Sequence, residues 1–493
     1  MADAISALIS LLNLHTISLM MVGIAIGLIF GALPGLGGNV TLALLVPLVW
    51  NMEPRVALAL LLSAHASVTF GGSISSILIN TPGTGQNVAT CFDGFPMAQQ
   101  GKAARAIGIA ATSSLVGGLF GVIILVTMMP LMKGMMMAIG SSEYFMLALM
   151  GVSIISLLSK GSMIKGLIAG FLGILVSFVG FDPVTGVLRY SFGSIYFYEG
   201  IKFIPAIIGL FAIAEMIKLY LEGGTIAKVG RVESKESVIE GIKDVFRNFG
   251  LTLRCSILGT IIGIVPGVGG TVANLLAYGH AVQTSKHPEL FGTGIPEGVI
   301  APEAANNAKE GGALIPTVAF GIPGSSAMAI LLGAFIVLGI VPGPDMLTTN
   351  VELVYTMIWA VALANIIGSG IGLISANKLT KLTILEGKII VPFILILSFL
   401  GAFIVAQMFM DIIFAFIFGI IGYGMKKFKY PKATFVIGFV LGRVLERNFQ
   451  IAYNSYGYSM FARPITLILM VVTLLTITFP FIKQIFVKRG ENN

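Results

Sequence analysis

An apolar segment that ends on Pro-Gly-x-Gly-Gly cannot continue as an ordinary spanning helix, and this chain contains two such segments. The first reads Gly27-x3-Gly31-Ala32-Leu33-Pro34-Gly35-Leu36-Gly37-Gly38 and the second Gly259-x3-Gly263-Ile264-Val265-Pro266-Gly267-Val268-Gly269-Gly270. Pro removes a backbone donor and crowds the preceding turn, while Gly accepts backbone angles closed to other residues. Inside a bilayer the polar groups freed by such a break must be used by a neighbouring helix, by water or by a bound solute.

The setting is a membrane. Of 493 residues 56% are hydrophobic and 11% are charged, against roughly 25% charged in soluble proteins. The expected fold is therefore an all-α polytopic membrane protein, a single bundle with broken helices and re-entrant hairpins. The net charge of +8 is explained by Lys and Arg in inter-span loops, so no nucleic acid is implied. Cys91 and Cys255 lie in or beside apolar segments and suggest neither a disulfide nor a metal site. The start, Met1-Ala2-Asp3, lacks the basic region of a secretory signal, and the first segment is expected to be retained. The chain carries no Gly-x4-Gly-Lys-Ser/Thr, His-Glu-x-x-His or Gly-x-Ser-x-Gly motif. ATP-driven transport through this polypeptide and enzyme chemistry are both disfavoured, and no organic cofactor is expected.

Apolar spans are expected near 17–36, 106–132, 143–159, 163–181 and 201–221, then 251–265, 327–341, 354–376, 389–409, 412–425, 433–447 and 464–482. Segments 40–50 and 56–70 each fall short of the ~20 residues that cross a bilayer, so a bent or re-entrant path is expected there. The polar, helix-breaking stretch 71–85 reads as a cavity-lining loop, and 280–312 reads as a polar region. Landmarks recur in order. Gly71-Gly72 to Pro82-Gly83 matches Gly311-Gly312 to Pro323-Gly324, and Gly117 and Gly121 match Gly368 and Gly372. This indicates two homologous repeats, 1–222 and 251–493, joined by a charged cytoplasmic connector at 223–250. The turn with Lys160 and Lys165 corresponds to one around Asp411, and the stretch around Asp182 corresponds to Lys426, Lys427, Lys429 and Lys432. The basic side alternates, as inverted topology requires.

Paired breaks at corresponding positions point to a binding site between the repeats. Helix N-termini there suit a carboxylate, and carbonyl ends suit a sodium ion. The backbone of this site is assigned to Pro34, Gly35, Gly37, Gly38, Pro82 and Gly83 in the first repeat, and to Pro266, Gly267, Gly269, Gly270, Pro323 and Gly324 in the second. The alternative is that these residues only permit close helix packing. Hydroxyls and amides beside the breaks are the substrate-binding candidates: Asn39, Thr41, Ser73, Ser75, Asn80, Thr81, Thr84, Thr271, Asn306, Asn307, Ser325 and Ser326, with Asn274 nearby. Each could instead cap a broken helix. Glu303, Lys309 and Glu310 read as an interfacial cluster in preference to an ion site, and His65 as a packing histidine in preference to a proton carrier. Asp182 and Asp411 have no partner nearby in sequence.

Taken together, Pro34-Gly35-Leu36-Gly37-Gly38, Gly71-Gly72-Ser73-Ile74, Asn80-Thr81-Pro82-Gly83-Thr84, Asp93-Gly94-Phe95-Pro96-Met97-Ala98, Pro302-Glu303-Ala304-Ala305-Asn306-Asn307-Ala308 and Gly321-Ile322-Pro323-Gly324-Ser325 resemble the large membrane subunit of the tripartite tricarboxylate transporters, the TctA family. The resemblance covers nearly the whole chain. It implies import of tri- or dicarboxylates, citrate being the eponym, across the bacterial inner membrane by a secondary transporter coupled to sodium or to protons. It also implies a small membrane subunit of about four spans and a periplasmic solute-binding protein as partners. Asn80-Thr81-Pro82 looks like the tip of a re-entrant hairpin, and Gly321-Ile322-Pro323 lacks the Asn-Thr pair. The alternative reading of the same breaks is a passive anion channel or a non-transporting sensor subunit.

Overall fold

The computed structural model describes residues 2–136, 139–157, 163–222, 236–266, 269–382 and 387–490. Gly267, Lys160 and connector residues 223–235 lie outside these. Among the described residues the only strands are Gly180–Phe181 and Leu188–Arg189, which pair antiparallel. Six helices are long and apolar enough to cross a membrane, and up to eight if each of two sharply bent pairs counts as one span. The protein is all-α and multi-pass.

Two buried helices, Pro54–Ile79 and Glu297–Phe320, run through the bundle. The first corrects the expectation of a loop at 71–85, and the second carries much of the expected polar region 280–312 as helix. Several of their hydroxyls bond back to the preceding turn of the same helix. Ser73 and Ser76 donate to the carbonyls of Thr69 and Gly72 at 3.1 and 3.0 Å, and Thr317 donates to Ala313 at 2.6 Å. The chain leaves the helix only at Asn80 and Gly321, C-caps in the left-handed region with φ 51° and 65°. Asn and Gly are the residues that tolerate that conformation, so the two unlike tips perform the same backbone task.

Glycine explains how neighbours approach these helices. In Leu14–Ala32, a Cβ at Gly27 or Gly31 would lie 2.2 or 2.1 Å from the carbonyl oxygen of Ala64 or Val68. In Phe249–Ile264, a Cβ at Gly259 or Gly263 would lie 2.2 or 2.3 Å from that of Ala305 or Lys309. From the other side Gly117 and Gly121 of Ala103–Met136 press on Ala304 and Ala308, and Gly368 and Gly372 of Val351–Leu382 press on Ser67 and Phe70. Small residues drive such contacts where no water is available to squeeze helices together. Gly27→Ala is therefore expected to destabilise the bundle by about 1–3 kcal/mol, because the obstacle is backbone. Gly134→Ala meets nothing within 4 Å and is expected to be neutral or stabilising by up to ~1 kcal/mol. Thermal unfolding of the purified variants compares the two.

Beside this core, Phe203–Ile207 passes through a π-helical stretch, Ile208–Ile213, into Ala214–Glu222. Gly209 lets it close on Phe409–Lys427, since a Cβ there would lie 2.4 Å from the Ala415 carbonyl oxygen. Lys432, the first residue of Lys432–Tyr456, donates to the Leu210 carbonyl at 2.9 Å. The connector reappears as Val238–Arg247, whose Asp244, together with Glu236 just before the helix, takes the Arg105 guanidinium, and bends by 78° into Phe249–Ile264. Ser326–Val337, expected as a span, has only 12 residues and does not reach across.

Candidate functional site

The two Pro-Gly breaks and the two hairpin tips meet at one cavity of about 670 Å³. Its wall comprises 35–40 and 82–86 from the first half of the chain and 269–271 and 325–327 from the second, closed by Phe211, Glu215, Lys426 and 429–432. The helices Gly37–Leu45, Gly269–Thr284 and Ser326–Val337 all begin here. Each start presents unpaired N–H groups and the positive end of a helix dipole, so the wall is electropositive before any side chain is counted.

The segments interlock crosswise. Ser326 donates to Asn39 Oδ1 at 3.1 Å, joining the second tip to the first break. A Cβ at Gly85 would lie 2.9 Å from Thr271 Oγ1, and one at Gly270 would lie 2.4 Å from Gln86 Oε1, so the first tip is seated on the second break. Thr84 accepts from the Gln86 N–H at 3.1 Å and Ser325 from the Met328 N–H at 3.3 Å; both are N-caps that face the cavity. Behind each tip a glycine rests on a glycine of the packing face. A Cβ at Gly83 would lie 2.0 Å from the Gly31 carbonyl oxygen, and one at Gly324 2.8 Å from that of Gly263.

Of the sequence candidates, Gly35, Gly37, Gly38, Asn39, Pro82, Gly83, Thr84, Gly269, Gly270, Thr271, Ser325 and Ser326 line the cavity. The others are engaged elsewhere. Thr41 donates to Gly37 in its own helix, Ser75 to the Ala32 carbonyl, and Thr81 to the Ile79 carbonyl. Asn80 is the exposed C-cap, and Pro34, Pro266, Pro323 and Gly324 do not line the cavity. Asn306 donates to the Gln86 carbonyl at 2.8 Å and Asn307 to Asn365 at 2.6 Å, while Asn274 accepts from the Ala89 N–H at 2.8 Å. Of these amides Asn306 braces the first tip, and none of the three lines the cavity.

Sequence reasoning missed the cations of the wall. Lys426 pairs with Glu215 at 2.6 Å, and Glu215 in turn reaches to 3.2 Å from where a Gly35 Cβ would be. Lys432 points at Leu210, and Lys429 is exposed in a left-handed turn, φ 60°. The lysine cluster entered the sequence argument as a topology marker only, and nothing local to it signals the cavity.

The polar cluster on Glu297–Phe320 also requires correction. Glu303, Lys309 and Glu310 are buried, not interfacial. Glu310 ion-pairs with Lys309 at 2.7 Å and lies 2.9 Å from His65 Nε2. His65 Nδ1 is 3.4 Å from where a Cβ on the cavity-lining Gly38 would be. Glu303 instead accepts from the hydroxyls of Ser73, Thr90 and Ser114 at 2.5–2.8 Å.

The tripartite tricarboxylate transporter TctA family model matches residues 17–437. The chain belongs to this family. A protein of Agrobacterium vitis described as an uncharacterized 52.8 kDa protein in the TAR-I ttuC' 3'region is 32% identical over 473 residues, covering 95% of this chain and 94% of the relative. A second from the same organism, described as an uncharacterized protein in the TAR-II ttuC' 3'region, is 33% identical over 190 residues, 38% of this chain and 78% of the relative. No solved structure matches. TctA proteins are transport proteins, each one component of a tripartite system with a small membrane subunit and a periplasmic binding subunit. The cavity is thus a feature of a TctA large membrane subunit.

Proposed function

We propose that this chain is the permease subunit of a binding-protein-dependent secondary transporter that imports tri- or dicarboxylates into a bacterial cell, coupled to sodium, with the cavity as its solute site. The observation that carries this reading is the convergence of three helix N-termini, capping hydroxyls and lysines on one cavity. N-termini and lysines complement carboxylates, and hydroxyls discriminate among them by hydrogen bonding. The periplasmic protein delivers the solute, and the small membrane subunit of about four spans completes the complex in the inner membrane.

The two halves act as inverted repeats. Supporting this are the matched contacts Gly83 on Gly31 and Gly324 on Gly263, and the matched caps Asn80 with Thr84 and Gly321 with Ser325. With the turn holding Lys426, Lys427, Lys429 and Lys432 on the cytoplasmic side, the lysine-lined wall faces the cytoplasm and the geometry corresponds to solute release.

Uptake by proteoliposomes containing all three components tests the proposal. Carboxylate should accumulate above equilibrium under an inward sodium gradient, and flux that only equilibrates rejects it in favour of a channel. Lys429→Gln should raise the half-saturating concentration of a tricarboxylate about fivefold, equivalent to about 1 kcal/mol for one exposed charge. A monocarboxylate should be affected less, and equal effects on both would remove Lys429 from the site.

A further inference from the structure

We infer that Glu303, with the hydroxyls of Ser73, Thr90 and Ser114, forms the binding site for a sodium ion, a site distinct from the solute cavity and linked to it; its role in coupling rests on the transport reading above.

The argument begins with charge. All four residues are fully buried. Among the described residues no Lys, Arg or His pairs with Glu303, whereas Glu310 two turns later has Lys309 and His65. Arg105 is spent on Asp244 and Glu236 at the end of its helix. A buried carboxylate without a counter-charge carries a large desolvation cost, and one monovalent cation removes it. The donor set suits a hard monovalent cation such as sodium. It consists of oxygen alone, two carboxylate and three hydroxyl atoms, with one negative charge, and hard alkali and alkaline-earth cations prefer oxygen. A divalent ion would be left with an uncompensated charge.

The Ser73 hydroxyl is free to turn a lone pair toward a cation. Ser73 donates to Glu303 at 2.8 Å, but its proton has a second acceptor in the Thr69 carbonyl at 3.1 Å. The four oxygen-bearing residues come from four different helices, Pro54–Ile79, Thr90–Gln99, Ala103–Met136 and Glu297–Phe320. An ion held among them ties these helices together.

A chain of hydrogen bonds connects this cage to the cavity wall. Thr84, which lines the cavity, donates to Asn87 Oδ1 at 2.6 Å, and Asn87 Nδ2 donates to Ser73 Oγ at 2.9 Å. Gly72 makes room for it, since a Cβ there would lie 2.2 Å from Asn87 Oδ1. Sodium at Glu303 fixes Ser73, Ser73 fixes Asn87, and Asn87 holds the Thr84 tip in position for the solute.

The test uses the full-length chain purified in detergent, with sodium chloride titrated against choline chloride and thermal unfolding as the readout. Wild type should gain stability saturably with sodium. Glu303→Gln should lose that gain, and Ser114→Ala, which keeps the charge and deletes one oxygen, should need at least tenfold more sodium for half of it. If Glu303→Gln does not fold, Ser114→Ala alone decides. A wild type indifferent to sodium, a pair of variants that respond as wild type does, or a gain reproduced in choline by acid alone each overturns the assignment. In the three-component proteoliposomes, Glu303→Gln should exchange solute across the membrane without the sodium dependence of wild type. Sodium stabilisation that depends on Glu303, in a wild type that accumulates no carboxylate, would leave the ion site standing and reject the transport reading.

Discussion

Gly83→Ala is expected to reduce solute uptake by about 10²-fold or more, and to do so more severely than any single hydroxyl deletion in the cavity. The added methyl would fall 2.0 Å from the Gly31 carbonyl oxygen and 2.5 Å from Gly72 Cα. Both obstacles are backbone of packed helices, and a close-packed interior transmits such strain instead of absorbing it. Overpacking costs about 1–3 kcal/mol, and relief is available only by displacing the tip at 82–86, which carries Thr84 and seats Gly85 on Thr271. A displacement of about 1 Å at reacting or binding groups is enough for losses of about 10²-fold. Gly269→Ala is the control. Its Cβ meets nothing within 4 Å, so it bears only the left-handed strain of φ 71°, about 1–2 kcal/mol. Uptake in proteoliposomes, with thermal unfolding alongside, measures both. Wild-type uptake by Gly83→Ala would mean that the tip does not hold the solute.

Glu310→Leu is expected to produce the largest loss of stability. Lys309 is 1% exposed and Glu310 3%, and deleting one partner of a buried pair strands the other charge at a cost of about 3–5 kcal/mol. His65 would lose its partner as well. The double replacement Lys309→Met with Glu310→Leu removes both charges and should return to within about 1–2 kcal/mol of wild type, since apolar packing substitutes well for a buried pair. The double-mutant cycle read by thermal or denaturant unfolding isolates the coupling. A Glu310→Leu protein as stable as wild type would mean that Lys309 is not left as an unpaired buried charge. Because this pair adjoins Gly38 through His65, the same variants should also weaken transport, but less than Gly83→Ala does.

How legible the molecule is from its sequence varies with the range of the interaction. The breaks at Pro34–Gly38 and Pro266–Gly270 are local chemistry: helices start at Gly37 and Gly269, and Gly35, Gly37, Gly38, Gly269 and Gly270 line the cavity while Pro34 and Pro266 do not. The Gly27 and Gly31 portion of the same motif belongs to the packing alternative, since those glycines press on Ala64 and Val68. Site and packing turn out to be consecutive parts of one segment. The stretch 71–79 misleads because Gly and Ser are loop residues in water, yet in a buried helix Ser returns its proton to the preceding turn and Gly admits a neighbour. Asp411 had no partner in sequence, and it receives Tyr196 at 2.6 Å and Lys202 at 3.3 Å across the fold.

Hydropathy and the two Pro-Gly breaks determine by themselves that this is an all-helical membrane protein with broken helices, because these are properties of adjacent residues. Only the tertiary structure decides that Lys426 and Lys432 flank the cavity, that Ser73 meets Glu303, and that His65 meets Glu310. Each of those contacts joins residues far apart in the chain, brought together by glycine-faced helices packing at backbone distance. Their meeting is set by the geometry of the packed bundle, which no local pattern encodes.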